Sequence, residues 1–277
     1  MTAEEIVERH YARVGLRDAI RAGIAALGKP EPITTDDLAA VDEFHIGGRA
    51  ATDHLLAQVS LDPSMHVLDV GSGIGGPARH IAQSVGCGVT GIDLTAEYVA
   101  LADELTAAVG LGDRVRFIQG SALSIRAADA SFDAATMLHV GMNIHGKSAL
   151  FREVARVLRP GGVFAVYDVM RTGTAEVGYP VPWARTPETS FLGEPSAYRT
   201  AAEAAGFDVE AESDRRASAL EFFDTLRASA PPGAPQPSLG LHLVLGPDAK
   251  TMIANMIANI ESQAVAPVEM ICRRTSP

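Results

Sequence analysis

The sequence predicts a doubly wound α/β protein, a mostly parallel seven-stranded sheet behind an N-terminal helical lid. Three observations predict it. From about residue 65, short Val- and Ile-rich runs alternate with helical stretches. That alternation is the signature of βαβ units, which require a parallel sheet with helices on both faces. A glycine-rich turn follows the first of these runs and leads into a helix. The first 60 residues carry only helical periodicity, in stripes too short to make their own core, so their apolar faces should pack on the sheet.

The elements follow in order. Ile6, Tyr11 and Val14 recur at helical spacing, Gly15 interrupts, and Leu16, Ile20, Ile24 and Leu27 continue the stripe. Gly28, Lys29, Pro30 and Pro32 stop it. Thr34 or Thr35 can cap a short helix carrying Leu38 and Val41, and another helix is expected from about Gly48 to Val59. The expected strands are His66–Val70, Gly88–Ile92, Val115–Gln119, Phe132–Leu138, Val163–Asp168, Asp208–Glu212 and Val268–Arg273. Helices Pro77–Val85, Ala96–Val109, Lys147–Leu158 and Tyr198–Ala205 lie between them. Right-handed crossovers would follow. Gly161, in Arg159-Pro160-Gly161-Gly162, is read as the left-handed stop of the third of these helices. The resulting division is a lid over residues 1–60 and a Rossmann-like domain over 61–277. That domain carries an insertion loop at about 171–195 and a helical insertion at about 218–265. The first is rich in Gly, Pro and Thr and too long for an ordinary connection. Pro231, Pro232, Pro235 and Pro237 punctuate a turn in the second, before a helix with Met252, Met256, Ile257 and Ile260.

Composition narrows the class. A chain of 277 residues suits one large domain or one plus an addition, and 47% hydrophobic residues supply a core. Lys and Arg number 23 against 34 Asp and Glu, a balance of −11 that argues against nucleic acid as a partner. Cys87 and Cys272 lack zinc or CxxC spacing and read as buried thiols in a reducing compartment. The start, MTAEEIVERH, lacks the basic and apolar regions of a signal peptide, and no apolar run approaches membrane-span length. A soluble, cytoplasmic protein is expected. Oligomeric state is not legible.

The strongest local signal is Leu68-Asp69-Val70-Gly71-Ser72-Gly73-Ile74-Gly75-Gly76-Pro77. Glycine there lets the backbone turn sharply and approach a ligand. Gly71, Gly73 and Gly76 also satisfy G-x-G-x-x-G, which equally suggests a dinucleotide. Charge separates the two readings. Asp69 stands two residues before the first glycine, where a pyrophosphate would be repelled. S-adenosylmethionine (SAM) presents an ammonium and a sulfonium instead, which a carboxylate attracts. Asp69 could also cap the turn. Asp93 ends the second strand, where a carboxylate can accept from both ribose hydroxyls of an adenosine or cap the next helix.

On these residues the chain resembles a class I SAM-dependent methyltransferase. The glycine turn, the acid after the second strand and Arg159-Pro160-Gly161-Gly162 occur in that family's order over about residues 60–170. The resemblance implies SAM as cofactor, released as S-adenosylhomocysteine. It places Asp69, Gly71, Ser72 and Gly73 at the methionine part and Asp93 with Leu94 at the ribose. Ser121 and Ala122 fall by the adenine, and Leu138 and His139 complete the cofactor contacts. Many relatives carry Asp where this chain has Ser121. A hydroxyl cannot replace a charge-assisted hydrogen bond, so a backbone contact from Ala122 is expected there. Glu43–Thr52 and Tyr179-Pro180-Val181-Pro182-Trp183 further resemble bacterial small-molecule enzymes of the sarcosine/dimethylglycine N-methyltransferase-like group.

The implied activity is methyl transfer to N or O of a small-molecule acceptor. Holding a nucleophile against the methyl group supplies roughly 7–11 kcal/mol of barrier lowering. The carboxyl ends of the strands are where ligands bind in such sheets, and Phe132–Leu138 ends in His139-Val140-Gly141-Met142-Asn143-Ile144-His145. His139 can orient the acceptor or take its proton, with a rate that falls below a pKa near neutrality, or can be a simple contact residue. Asn143 can bind acceptor or methionine carboxylate, and His45 can reach over the cofactor or merely cap. Met142, Tyr179 and Trp183 are candidates for lining the acceptor. No His, Asp or Glu cluster has metal-ligand spacing, so no metal is expected. The alternatives are a dinucleotide-dependent oxidoreductase and a non-catalytic SAM-binding protein.

Overall fold

In the computed structural model of the protein, residues 2–30, 32–229 and 236–275 are described. Four helices come first: α1 (Ala3–Tyr11), α2 (Leu16–Ala26), α3 (Thr35–Asp42) and α4 (Gly48–Leu56). Capping boxes start α1 and α3: Thr2 and Glu5 pair at the first, Thr34 and Asp37 at the second. The α4 helix stops at Leu56, short of the expected Val59, because Gln58 and Val59 donate to Leu55 and Leu56 in a tightened last turn.

The alternating segment then builds β1 (His66–Val70), α5 (Gly76–Val85), β2 (Gly88–Asp93), α6 (Ala96–Ala108), β3 (Val115–Gln119), β4 (Phe132–Leu138), α7 (Lys147–Val157) and β5 (Leu158–Arg171). The chain closes with α8 (Pro195–Ala204), β6 (Phe207–Asp214), α9 (Arg216–Ser229), α10 (Leu241–Leu245), α11 (Ala249–Glu261) and β7 (Val265–Arg274). Pro231, Pro232 and Pro235 lie outside the described residues.

The seven strands form one sheet in the order β3-β2-β1-β4-β5-β7-β6. The pairs from β3 to β5 are parallel, and β7 runs antiparallel to both neighbours. This is the doubly wound, mostly parallel sheet of the sequence reading. Order reverses between β1 and β4, which pair directly with Asp69 opposite Thr136. A crevice opens outside the carboxyl ends of two such strands. The central strands are buried on both faces, which is why they read as continuous apolar runs rather than alternating ones. Cys87 and Cys272 are buried, unpaired thiols. Among the described residues no helix is long and apolar enough to cross a membrane.

One local reading is corrected. Gly161 takes positive φ but does not end α7. The helix ends at Val157, and Leu158, already extended, pairs with Phe132. The β4–β5 register then jumps to Ala134 opposite Val163. Arg159–Gly162 is therefore an excursion within the ladder rather than a helix cap, because the chain enters the sheet before it reaches the glycine.

Candidate active site

The crevice between β1 and β4 is the floor of a cavity of about 1180 Å³ that opens to solvent. Its floor is the glycine turn Gly71–Ile74, the β2 end Ile92–Thr95, the segment Gly120–Leu123 and the β4 end Leu138–Val140. Its roof comes from the N-terminal helices: Glu4, Val7 and Tyr11 on α1, and Asp42, Phe44 and His45 at and after the end of α3. The helices that begin the chain thus cover the carboxyl edge of the sheet.

Of the residues expected at a cofactor, Gly71, Ser72, Gly73, Asp93, Leu94, Ser121, Ala122, Leu138 and His139 all line this cavity. Asp93 organises the floor: its carboxylate accepts from the N–H of Gly73 at 2.8 Å and of Thr95 at 2.9 Å. It therefore serves turn and helix start together. Gly73 has φ of 54°, and a Cβ there would meet no atom within 4 Å, so it would project into the cavity. Gly71 is glycine for another reason, since a Cβ would lie 2.4 Å from the Val140 side chain.

Asp69 is not on the cavity wall. It is buried beside β4, where Thr136 Oγ1 donates to it at 2.9 Å, and burial pushes its carboxyl up to about 7. The strand pairing turns Asp69 toward Thr136 rather than toward the loop mouth. Ser72 stands at the wall instead.

Six buried side-chain polar atoms lack a hydrogen-bond partner among the described residues. Four belong to residues of this one cavity: Asp42 Oδ1, Ser72 Oγ, Tyr98 OH and His139 Nε2. Buried polar atoms are normally paired. Their convergence around a turn that keeps a Cβ out fits a polar ligand with several donors and acceptors. SAM, with its ribose hydroxyls, ammonium and carboxylate, is such a ligand.

A second, smaller cavity of about 670 Å³ lies alongside. It shares Tyr11, Phe44, His45 and His139 with the first. Its remaining lining is apolar: Ile46, Met142, Pro182, Trp183, Phe222, Phe223, Leu226, Leu241, Leu245, Ile253 and Met256. Met142 and Trp183 are thus brought to it. Trp183 is fixed by a hydrogen bond from its indole N–H to Ser190 at 2.9 Å. Tyr179 reaches neither cavity and packs beside the neighbouring apolar cluster instead.

The shared wall carries the titratable groups. His139 sits at φ of 54°, with its N–H donating to Tyr167 O at 2.7 Å. Its ring lies 5.9 Å from that of His45. Burial and the neighbouring His45 hold the His139 imidazole well below its ordinary range. Burial lowers His45 to about 4. Both rings are therefore neutral near pH 7, and the near-neutral acid limb expected from sequence moves downward. His45 Nε2 lies 2.9 Å from Gly48 O. A carbonyl only accepts, so the ring proton is on Nε2 and the lone pair on Nδ1. Asn143 exchanges hydrogen bonds with the hydroxyl of Tyr11 and so ties α1 to the β4 loop.

Tyr11, Phe44, Asp42, Tyr98 and Glu4 also line the cavity and were not foreseen as site residues. Tyr11 reads as a position of a helical stripe, and only the docking of the first helices gives it a cavity to face.

Comparison with known proteins agrees with this geometry. A family model described as a methyltransferase domain matches residues 68–166, the stretch from β1 into β5. A sterol 24-C-methyltransferase of Gibberella zeae is 37% identical over 124 residues, 44% of this chain and 33% of that protein. The chain thus spans about a third of that relative, and about half of the longer-matching ones. Two solved structures share the fold over most of the chain. One, provisionally assigned as a sarcosine dimethylglycine methyltransferase of Galdieria sulphuraria, has TM-score 0.67 at 19% identity, covering 83% of this chain and 86% of that one. The other is geranyl diphosphate C-methyltransferase of Streptomyces coelicolor, with Mg2+, a substrate thio-analogue and S-adenosylhomocysteine bound. It has TM-score 0.72 at 18% identity, covering 99% of both chains.

Proposed function

Because the chain carries a class I SAM-dependent methyltransferase domain, we propose that it transfers the methyl group of SAM to a small molecule held in the apolar cavity. The observation that carries the reading is the set of four unpaired buried polar atoms around the Gly71–Gly73 turn. Bound there, SAM would supply a methyl group on a cationic sulfur and leave as S-adenosylhomocysteine. Gly71–Gly73 and Ser72 would hold the amino-acid part and Asp93 the ribose hydroxyls. His45, His139, Tyr11 and Phe44, which belong to both cavities, would border the path of the methyl group. The helices over residues 1–60 would act as a lid that excludes water from that path.

The acceptor cavity bears on the acceptor's chemistry. Among the described residues its lining includes no Asp, Glu, Lys or Arg. A charged ammonium would enter without a counter-charge, at a cost of several kcal/mol. The reading is therefore an uncharged, largely apolar acceptor with an oxygen or carbon nucleophile, and a charged amine is disfavoured. The sterol and geranyl diphosphate relatives, both named for C-methylation, support the carbon option. A proton released by the acceptor would pass to His139 Nε2, which is neutral and without a protein partner.

Labelled SAM offered with apolar alcohols, phenols and alkenes, against amino acids and alkylamines, tests this. Label transferred only to amines would overturn the acceptor reading. SAM binding without turnover on any acceptor would favour a non-catalytic binder.

Two variants probe the roles within that reaction. His139→Ala is expected to lower turnover at least tenfold, a positioned base typically contributing about 10²–10⁴, and to leave SAM affinity nearly unchanged. The wild-type rate should stay level through pH 7 and fall only well below 6.5, because the imidazole must be neutral to accept a proton. A wild-type rate in the alanine variant would assign His139 to packing. Asp93→Ala should weaken SAM by on the order of 1.5–3 kcal/mol, because the ribose hydroxyls lose their acceptor and Gly73 loses its anchor. Calorimetry on the folded variant showing unchanged affinity would sink that assignment.

A further inference from the structure

The first helix places a carboxylate inside the cofactor cavity. Glu4 lines it together with Ala3 and Val7. Its Oε1 accepts a hydrogen bond from the Ser121 hydroxyl, and Ser121 Oγ in turn accepts from the Leu123 N–H at 2.9 Å. Ser121 is thus committed on both sides. The second oxygen of Glu4 bonds no side chain or backbone group among the described residues. The Thr2–Glu5 capping box fixes the start of the helix, and its last turn is tied to the fold by Tyr11 on Asn143 and by His10 on Pro182 O at 2.9 Å. The position of Glu4 is therefore set by packing and hydrogen bonds, not by a loose terminus.

The two cavities fix which part of the cofactor meets Glu4. The acceptor cavity joins the cofactor cavity at His45 and His139, so the methyl group must lie there. Asp93 sits on the floor between that end and the segment Gly120–Leu123. With the ribose at Asp93, the adenine falls at the far end, between Leu94, Ala122 and Leu123 below and Val7 above. Those apolar side chains suit a flat aromatic ring. At its edge adenine offers an amino donor beside a ring-nitrogen acceptor. The Ala122 N–H has no partner among the described residues and matches the acceptor. Ser121 lacks the charge to match the donor, and its own hydroxyl proton is already given to Glu4.

We propose that Glu4, from the N-terminal helix, accepts a hydrogen bond from the exocyclic amino group of the adenine and makes the site selective for an adenosine cofactor. The proposal rests on the SAM reading above. It assigns to the first helix a recognition role that a carboxylate at position 121 would otherwise fill. It also couples closure of the roof to the identity of the base, since the carboxylate arrives only when α1 is docked.

The test is calorimetry on the full-length protein with two probes, S-adenosylhomocysteine and S-inosylhomocysteine. The second replaces the amino group with a carbonyl oxygen and puts a proton on the adjoining ring nitrogen, so the amino donor becomes an acceptor and the acceptor facing the Ala122 N–H becomes a donor. Wild type is expected to prefer the adenosine form by on the order of a hundredfold or more, because the inosine form loses one hydrogen bond to a charged group and the Ala122 contact as well. Glu4→Gln keeps the shape and the bond to Ser121, and its amide can donate to the inosine oxygen. Its preference should fall by at least tenfold relative to wild type, through weaker binding of the adenosine form and stronger binding of the inosine form, and the remainder rests on the Ala122 N–H. An equal loss for both probes, with the ratio unchanged, would reduce Glu4 to a docking contact and overturn the proposal. A wild-type protein that binds neither probe would remove the SAM reading, and this inference with it. A wild type that binds both equally would overturn the inference alone.

Discussion

Valine in place of Gly73 is expected to remove cofactor binding while the protein still folds. Two effects act together. The backbone at 73 has φ of 54°, a conformation that costs a β-branched residue about 1–3 kcal/mol. The added side chain then has nowhere to go but the cavity, because its Cβ direction meets no protein atom within 4 Å. Filling ligand space costs a further 1–3 kcal/mol or so when the ligand must shift. Affinity for SAM should fall by on the order of a hundredfold or more, while most of the folding stability remains because no protein atom is displaced. Gly71→Ala offers the contrast. Its Cβ collides with Val140, so the loss there should appear in the melting temperature. Calorimetry and thermal melts on the two variants separate the cases. Normal SAM binding by the valine variant would make the turn a purely structural feature.

The second large effect is expected at Arg79, which does not line the cavity. Arg79 is fully buried on α5, and its guanidinium reaches four partners. One nitrogen donates to Ala102 O and Thr106 Oγ1, and the other to Asp42 Oδ2 at 2.9 Å and Ile74 O at 2.8 Å. It thereby joins the end of α3, the glycine turn and α6. Arg79→Met would leave Asp42 buried and unpaired, a change that typically costs about 3–5 kcal/mol. In a chain of this size that is a melting-temperature loss of roughly 10 °C or more. Restoring balance with Asp42→Leu in the same molecule should recover much of it, since replacing both members of a buried pair is often neutral. SAM affinity should also fall in the single variant, because Phe44 and His45 follow directly from Asp42 into the cavity wall. A single variant with the wild-type melting temperature would show that the first helices dock without this pair.

Much of the fold was legible because its signals are local. Strand runs such as Phe132–Leu138 declare themselves by composition, and the Gly71–Gly73 turn by residues that neighbour one another in sequence. The cofactor candidates from Gly71 to Ala122 lie at strand ends, so the order of strands alone gathers them. Asp69 shows the limit. Its place in the sequence suits a loop-mouth carboxylate, yet pairing opposite Thr136 turned it into a buried group away from the cavity wall. Tyr179 shows another: a loop composition announces a wall but not which of its aromatic rings faces the cavity.

What the sequence by itself determined is the sheet, the glycine turn and the acid after β2, because each depends on periodicity or on a few adjacent residues. What only the tertiary structure decided is the other half of the site. Glu4, Tyr11 and Asp42 come to the cavity from helices that precede the sheet, with no fixed spacing to the residues they meet. The Arg79–Asp42 pair and the Tyr11–Asn143 contact join residues 37 and 132 positions apart. Burial then resets the chemistry: His139 carries an ordinary imidazole in sequence, and only enclosure beside His45 holds that imidazole well below its usual range. Packing across long sequence separations leaves no local pattern, so the particular contacts of the roof and their electrostatics appear only when the chain is folded.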